Sequence, residues 1–248
     1  MIPKVIHYCW FGGAPKPPLV LRCIESWRRH APDFVIKEWN EQTFAPSRHP
    51  FAEQMWRQRR WAFLTDYVRM RVVADEGGVY LDADCELFGD LRPFLGHAAF
   101  AGCERFFSNL SPFTACFGAE AGHPWVRDCL AYYDAVDLSD ERTLARTNTG
   151  IVSDLLRARY GARTRDRFQA LAHGLVLYPS PVLCTPNIWH RSVVVHHFNG
   201  SWTPGHGRTP PWRVRAYEIM FRLTPLWAHA PLYGFIGIWT KLRHRLRS

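Results

Sequence analysis

WAFLTDYVRMRVVADEGGVYLDADCEL, residues 61–87, reads in one run as helix, double-glycine turn and strand. From Trp61 to Glu76 there is neither Gly nor Pro, and Ala62, Phe63, Leu64, Val68, Met70, Val72, Val73 and Ala74 supply apolar faces. This predicts a largely buried helix. Gly77 and Gly78 end it, because a residue without Cβ takes a left-handed turn past the last helical residue at little cost. The segment VYLDADCEL then alternates with period two, predicting a strand from Val79 to Leu87. Val79, Leu81, Ala83, Cys85 and Leu87 fall on one face and Tyr80, Asp82, Asp84 and Glu86 on the other.

Asp82 and Asp84 thus point the same way, and two carboxylates side by side repel unless a cation sits between them. Hard oxygen donors suit Mg²⁺ or Mn²⁺. An isolated Asp-x-Asp also occurs in solvated turns; the apolar strand before this one makes a solvated loop unfavourable. On the predicted helix, Asp66 and Arg69 are three residues apart and share a face. Two readings are open for them, a polar patch beside the cation or an ordinary solvated ion pair.

Working outward, VIHYCW after Lys4 predicts a first strand, Pro17 and Pro18 open a helix from Leu19 to His30, and FVIKEW (Phe34 to Trp39) predicts a second strand. A strand-helix-strand start favours a parallel sheet, so the fold class expected is α/β. Phe51 to Arg60 predicts a helix leading into the central one. Beyond the Asp pair, Ala98–Glu104, Pro112–Glu120, the stretch GLVLY and Ser192–Phe198 read as strands, and Pro124 to Val136 as a helix. Arg163 to Arg167 is a charged turn. Asn148-Thr149-Gly150 precedes the apolar run IVSDLLRARY; Asn or Thr at a helix start leaves backbone N–H groups facing outward, a place for phosphate or sugar hydroxyls, or simply caps the helix.

The 248 residues are enough for one sizeable domain and too few for two of ordinary size with a linker. Seven cysteines, with no C-x-x-C spacing, argue against a zinc site and a disulfide framework and for reduced buried thiols of a cytoplasmic protein. The opening MIPKVIHYCWFGG lacks the apolar run of a signal peptide, so no secretion is expected. The uncharged stretch 223–240 contains two Pro, two Gly and a His and makes a poor spanning helix.

The net charge of +9 is uneven: from Arg208 to Ser248 eight Lys or Arg face Glu218 alone, which leaves residues 1–207 near neutral. Trp212, Tyr217, Trp227, Tyr233 and Trp239 interleave before KLRHRLRS, a pattern suited to an anionic membrane surface. The chain therefore divides into a domain of residues 1–207 and a basic, aromatic tail of residues 208–248. The tail reads as a peripheral attachment to the inner face of the cell membrane, or as a helix packed on the domain with a solvated basic end. No nucleic-acid motif accompanies the charge.

WAFLTDYVR followed by EGGVYLDAD resembles the DXD sugar-binding region of glycosyltransferase family 32, which includes bacterial capsule and lipopolysaccharide sugar transferases. The large glucosylating toxins have a similar region. The Asp-x-x-Arg, Gly-Gly-x-Tyr and Asp-x-Asp occur here in the family's order and spacing. The resemblance implies a GT-A fold, with a Rossmann-like, mostly parallel sheet flanked by helices. It also implies a nucleotide-sugar donor, Mn²⁺ or Mg²⁺, and retention of anomeric configuration. IPKVIHYCWFGG is similar to the family's opening, in which a tryptophan serves as base platform, as a similar one stacks on uracil in the toxins; the match is Trp10, whose other reading is a core residue. By the same resemblance Asp66 and Arg69 would grip ribose and sugar hydroxyls. His197, in HFNG at the end of the last predicted strand, would complete a metal shell with Asp82 and Asp84. Ser201 and Trp202 would donate to the leaving diphosphate. Tyr80, on the face of the two aspartates, would touch base or ribose, and Asn148 stands where the family often has Thr-Gly-Pro, although Ile151 replaces that proline.

The expected activity is transfer of a hexose from a nucleoside diphosphate sugar, UDP-sugar favoured, to a glycan or glycolipid hydroxyl in surface polysaccharide synthesis. Two other readings use the same residues. One is a metal-dependent glycosidase or phosphohydrolase, for which Glu76, Glu86 and Glu104 show no suggestive arrangement in sequence. The other is a non-catalytic glycan-binding protein.

Overall fold

The computed structural model describes residues 1–106, 109–144, 146–185, 187, 192–198, 219 and 223. Its strands and helices, in chain order, are β1 (Val5–Cys9), α1 (Pro18–His30), β2 (Val35–Trp39), α2 (Pro50–Arg57), α3 (Trp61–Glu76), β3 (Gly78–Leu81), β4 (Cys85–Leu87), β5 (Ala99–Phe106), β6 (Asn109–Ala119), α4 (Pro124–Asp134), α5 (Glu141–Leu144), α6 (Asn148–Tyr160), β7 (Gln169–Ala170), β8 (Leu175–Tyr178), α7 (Ser180–Leu183) and β9 (Val194–His196).

One sheet runs in the order β2-β1-β3-β6-β5-β8-β7, and β4 pairs with β9 in a separate antiparallel ribbon. β1 is parallel to β2 and β3, and β5 is parallel to β8, whereas β6 and β7 run against their neighbours. The sheet is thus mostly parallel and flanked by helices, as expected. Every residue of β3 is buried, the pattern of a strand covered on both faces. Tyr80 and Phe117 turn to the side packed by α2, α3, α4 and α6. Val79, Leu81, Phe100 and Cys116 turn to the side packed by α1 and β4.

The joint between α3 and β3 is sterically closed. Gly77 has φ +68°, and a Cβ there would lie 2.9 Å from the Ala121 nitrogen and from Pro3 Cδ. Gly78 has φ +107°, and its Cβ would lie 2.9 Å from His7 Nε2 and from the Val5 carbonyl oxygen. Both the dihedrals and the space demand glycine. His7, fully buried on β1, donates from Nε2 to the Gly77 carbonyl (2.8 Å) and accepts at Nδ1 from the Trp39 indole N–H (3.1 Å). It ties the joint to β1 and β2.

The structure corrects the strand expected to run from Val79 to Leu87. β3 ends at Leu81; the Asp82 N–H still reaches the Ala115 carbonyl (2.8 Å), and then residues 82–85 turn, closed by the Cys85 N–H on the Asp82 carbonyl (2.8 Å). β4 leaves the main sheet because α1 offers it other partners. The Trp27 indole N–H donates to the Cys85 carbonyl (2.7 Å), and Ser26 Oγ accepts from the Leu87 N–H (2.9 Å). α6 also starts earlier than expected, at Asn148, with Thr147 as its cap.

All seven cysteines are free and buried. The tail expectation for residues 208–248 lies outside the described residues, apart from Ile219 and Leu223. Among the described residues no helix is long and apolar enough to cross a membrane.

Candidate active site

β1 and β3 are adjacent parallel strands, and Trp10 follows the first as Asp82 follows the second. Both stand at the carboxyl ends of the strands, where open α/β sheets form ligand crevices. One turn of α3 packs beside this edge and brings Asp66 and Arg69 to it. Arg69 Nη2 lies 3.0 Å from Asp66 Oδ1, and Nη1 lies 3.2 Å from Asp82 Oδ1. The same guanidinium donates to the carbonyls of Thr114 (3.1 Å) and Thr65 (3.3 Å), and sits 4.9 Å from the centre of the Tyr80 ring. The solvated ion pair is therefore excluded: the Arg69 side chain is 9% exposed and joins two carboxylates. Burial alone would lower the Arg69 pKa, but Asp82, Tyr80 and Asp66 hold it well above its ordinary value.

Asp66 is pushed up to about 7 by burial, against the pull of Arg69; the charge of Asp82 adds to the rise, and the Asn148 backbone N–H opposes it. Near neutral pH this carboxyl is poised between acceptor and donor. Asp82 is oriented from below by the Tyr80 hydroxyl, which donates to Oδ1 at 2.9 Å.

Asp84, on the far side of the turn, faces the β4–β9 ribbon. His196 pairs with Cys85 across that ribbon, and its Nε2 lies 3.3 Å from Asp84 Oδ1. Burial would lower the imidazole pKa, but the hydrogen bond and charge of Asp84 outweigh it and hold His196 well above the usual range. Glu104 on β5 joins the same edge. Burial raises its pKa; His196 opposes that rise, Asp82 adds to it, and the Thr149 side chain bonds the carboxylate.

Several expectations are corrected here. His197, expected beside Asp82 and Asp84, instead places Nε2 2.8 Å from Glu86 Oε2, while its backbone N–H bonds the Asp84 carbonyl (3.1 Å). Neighbouring residues of an extended strand project to opposite sides, so His196 takes the Asp84 side and His197 the other. Tyr80, expected to touch base or ribose, is 1% exposed and directs its hydroxyl to Asp82. Arg69 has its donors engaged by protein acceptors rather than turned outward. Asn148 is buried, with its amide group donating to Thr114 Oγ1 (2.7 Å) and its backbone N–H directed to Asp66. Trp10 is partly exposed; its indole N–H donates to the Ala14 carbonyl (2.7 Å), and the Lys16 ammonium lies 5.9 Å from its ring centre. Ser201 and Trp202 lie outside the described residues. The sequence reading passed over His196 in favour of its neighbour and gave Glu104 no role beside the aspartates. The doubled His at a strand end carried a signal for the first; nothing local marked the second.

The donor set fits a hard divalent cation. Asp82 and Asp84 offer carboxylate oxygens, and His196 Nε2 offers a borderline nitrogen. The Asp84, Cys85 and His196 ligand atoms lie within 4.8 Å of one another. Cys85 is unsuited to join them: it is fully buried, its Sγ is 3.3 Å from the Ala115 carbonyl, and burial holds its thiol well above the usual range.

Residues 17–101 match the model of the glycosyltransferase sugar-binding region containing the DXD motif. Among curated proteins none matches the chain. Among solved structures, the chain is similar to the PaToxG glycosyltransferase, with TM-score 0.51 and 16% identity over 63% of this chain and 69% of that one. It is also similar to the galactosyltransferase LgtC in complex with donor and acceptor sugar analogs, with TM-score 0.49 and 10% identity over 91% of this chain and 99% of that one. A third likeness is to a glycosyltransferase involved in the glycosylation of the major capsid of PBCV-1, with TM-score 0.48 and 8% identity over 83% and 97% of the two chains. The first of these establishes the shared fold, and the α/β class with a GT-A type sheet stands.

Proposed function

We propose that the chain, whose residues 17–101 match the DXD-containing glycosyltransferase sugar-binding region, is a glycosyltransferase that transfers a hexose from a nucleoside diphosphate sugar to a hydroxyl of a glycan or glycolipid. UDP-sugar is the favoured donor, the anomeric configuration is retained, and the product belongs to surface polysaccharide such as capsule or lipopolysaccharide. The observation that carries this reading is the acidic turn at the carboxyl end of β3, with His196 against Asp84 and Arg69 against Asp82.

Asp82, Asp84 and His196 would hold Mn²⁺ or Mg²⁺. When bound, such a cation neutralises negative charge developing on the departing diphosphate. Tyr80 and Arg69 keep the Asp82 carboxylate aimed at the crevice, so little reorganisation is needed as charge develops. Asp66, with its pKa near neutrality, hydrogen-bonds donor hydroxyls as acceptor or donor. Arg69 sets the spacing of Asp66 and Asp82, and Asn148 backs Asp66 through its backbone N–H. Trp10 offers an indole face to the base. Ser201 and Trp202 donate to the departing diphosphate. Orientation and charge stabilisation of this kind allow front-face attack by the acceptor, and no enzyme nucleophile is assigned. Residues 1–207 form the catalytic domain, and residues 208–248 hold it on the anionic inner face of the cell membrane.

The test is calorimetric titration with UDP and GDP, with and without Mn²⁺, on the unsubstituted protein and on Asp84→Asn, followed by mass analysis of products from a nucleotide-sugar panel. Metal-dependent UDP binding that disappears in Asp84→Asn is expected. Full transfer by Asp84→Asn in metal-depleted buffer would remove the proposal.

A further inference from the structure

Beyond the donor edge, the charged turn at residues 163–167 has an architecture of its own. α6 ends at Gly161 in a left-handed cap, and the chain then forms two narrow turns, with the Arg165 N–H on the Arg163 carbonyl (2.8 Å) and the Arg167 N–H on the Arg165 carbonyl (3.0 Å). Gln169 clamps the loop from within: Oε1 accepts from the Arg163 N–H (2.8 Å), and Nε2 donates to the carbonyls of Arg163 (3.0 Å) and Arg165 (3.2 Å). The Asp166 carboxylate turns inward, where it accepts from the Ser180 N–H (2.6 Å) and hydroxyl (2.7 Å). The acid, half-buried, is thereby engaged by Ser180 while Arg163, Arg165 and Arg167 stay exposed.

These three arginines, with Phe168, Gly161 and Gln169, line a surface cavity of about 380 Å³. Just upstream, Arg157 and Arg159 are paired with Asp154 and Asp128. Among the described residues no carboxylate pairs with Arg163, Arg165 or Arg167. Three like charges on a braced backbone, with no paired carboxylate among the described residues, favour an anion; the guanidinium fork suits phosphate. Phe168 is 52% exposed beside them, with its ring edge-on to Tyr178 at 5.4 Å, and offers an apolar face on which a sugar's C–H face can rest.

The position matters as much as the composition. Gln169 pairs with Leu177 and Ala170 with Val176, so the loop leaves the sheet at the carboxyl end of β8. β8 runs parallel to β5, and β5 in the same sense as β3, so this is the end at which Asp82 follows β3. The order β3-β6-β5-β8-β7 puts four strand spacings between them, roughly 19 Å at about 4.8 Å each. A short oligosaccharide spans that distance. We propose that Arg163, Arg165, Arg167 and Phe168 form an acceptor subsite that binds a phosphate group carried by the acceptor saccharide, an inference that rests on the transferase reading above.

The test compares binding of maltose 1-phosphate and maltose, without divalent metal, to the full chain and to Arg163→Gln/Arg165→Gln/Arg167→Gln. The unsubstituted protein is expected to prefer the phosphorylated sugar by about tenfold or more, and the triple variant to lose that preference. Phe168→Ala should weaken maltose 1-phosphate but leave inorganic phosphate unchanged. Arg28→Gln/Arg29→Gln/Arg57→Gln, with the same change in charge, should keep the preference; equal loss there would mean diffuse attraction and overturn the site. Loss in the triple variant of binding to phosphatidylglycerol vesicles, with no preference for the sugar phosphate in any protein, would make the loop a membrane contact and also overturn it. UDP with Mn²⁺ is titrated into each protein in parallel. Unchanged UDP binding in the triple variant separates the two sites, whereas no UDP binding even in the unsubstituted protein would strike the donor reading itself, whatever the arginines do.

Discussion

His196 Nε2 lies 3.3 Å from Asp84 Oδ1 across the β4–β9 ribbon, which brings the last described strand of the chain against the second aspartate of the acidic turn. The pair forms because β4 leaves the main sheet and finds β9, and it sets an imidazole against the acidic turn.

The two adjacent histidines therefore separate in function. His196→Ala should lower Mn²⁺-dependent UDP affinity by at least about tenfold, the scale on which groups around a metal act. His197→Ala loosens the contact with Glu86 and should leave that affinity within about twofold. Titration of UDP into both variants at fixed Mn²⁺ checks this, and the reverse ranking would return the metal to His197.

Arg69 is the mutual counterion of Asp66 and Asp82. Replacing it with Met leaves two largely buried carboxylates unpaired, which should cost roughly 3–5 kcal/mol of stability. Arg69→Met/Asp66→Asn should recover part of the loss, because one of the two stranded charges is gone. Urea unfolding of the three proteins at pH 7 measures it; an Arg69→Met midpoint equal to that of the unsubstituted protein would show that the pair contributes nothing to the fold.

Tyr80 acts on Asp82 through one hydrogen bond. Tyr80→Phe keeps the ring in its packing and removes a bond to a charged acceptor, worth roughly 1.5–3 kcal/mol. Mn²⁺-dependent transfer should fall by about tenfold or more in protein that remains folded at the assay temperature, with thermal stability lowered only to the extent of the one lost bond. Unaltered transfer by Tyr80→Phe would mean that Asp82 needs no support from below.

His7 sets part of the pH dependence of stability. Burial lowers its pKa below the ordinary 6.5, with the Gly77 carbonyl opposing that shift. As pH falls through 6.5 the unfolded chain takes up the proton before the folded one does, so this residue's contribution to stability is full above that pH and declines below it, until the folded imidazole also protonates. His7→Gln should flatten this acid limb in urea midpoints measured from pH 8 to pH 5, relative to the unsubstituted protein. His123, lowered in the same direction by its own burial, keeps some slope in the variant. An identical limb with and without His7 would sink the assignment.

Local pattern determined a good deal. α3 begins and ends where residues 61–76 predicted, because a segment free of Gly and Pro, rich in apolar residues and closed by Gly77-Gly78, leaves few alternatives. Both glycines proved sterically obligatory, and the parallel start of the sheet followed from strand, helix and strand in sequence. Asp66, Arg69 and Asp82 were identifiable as one group because α3, the glycine turn and β3 follow one another directly in the chain.

Tertiary structure decided the rest. Alternation could not foresee the turn at Asp82–Cys85, since hydrogen bonds from Trp27 and Ser26, far away in the chain, give β4 its reason to leave the sheet. For the same reason the family resemblance pointed to His197: which of two neighbouring side chains meets Asp84 depends on the register of Cys85 with His196, a property of the ribbon. Glu104 and the roles of Tyr80 and Asn148 were equally hidden, because each depends on a partner supplied by another element. Residue type and period encode which side chains can do chemistry; which of them meet is set by long-range pairing, where each contact depends on two distant stretches at once.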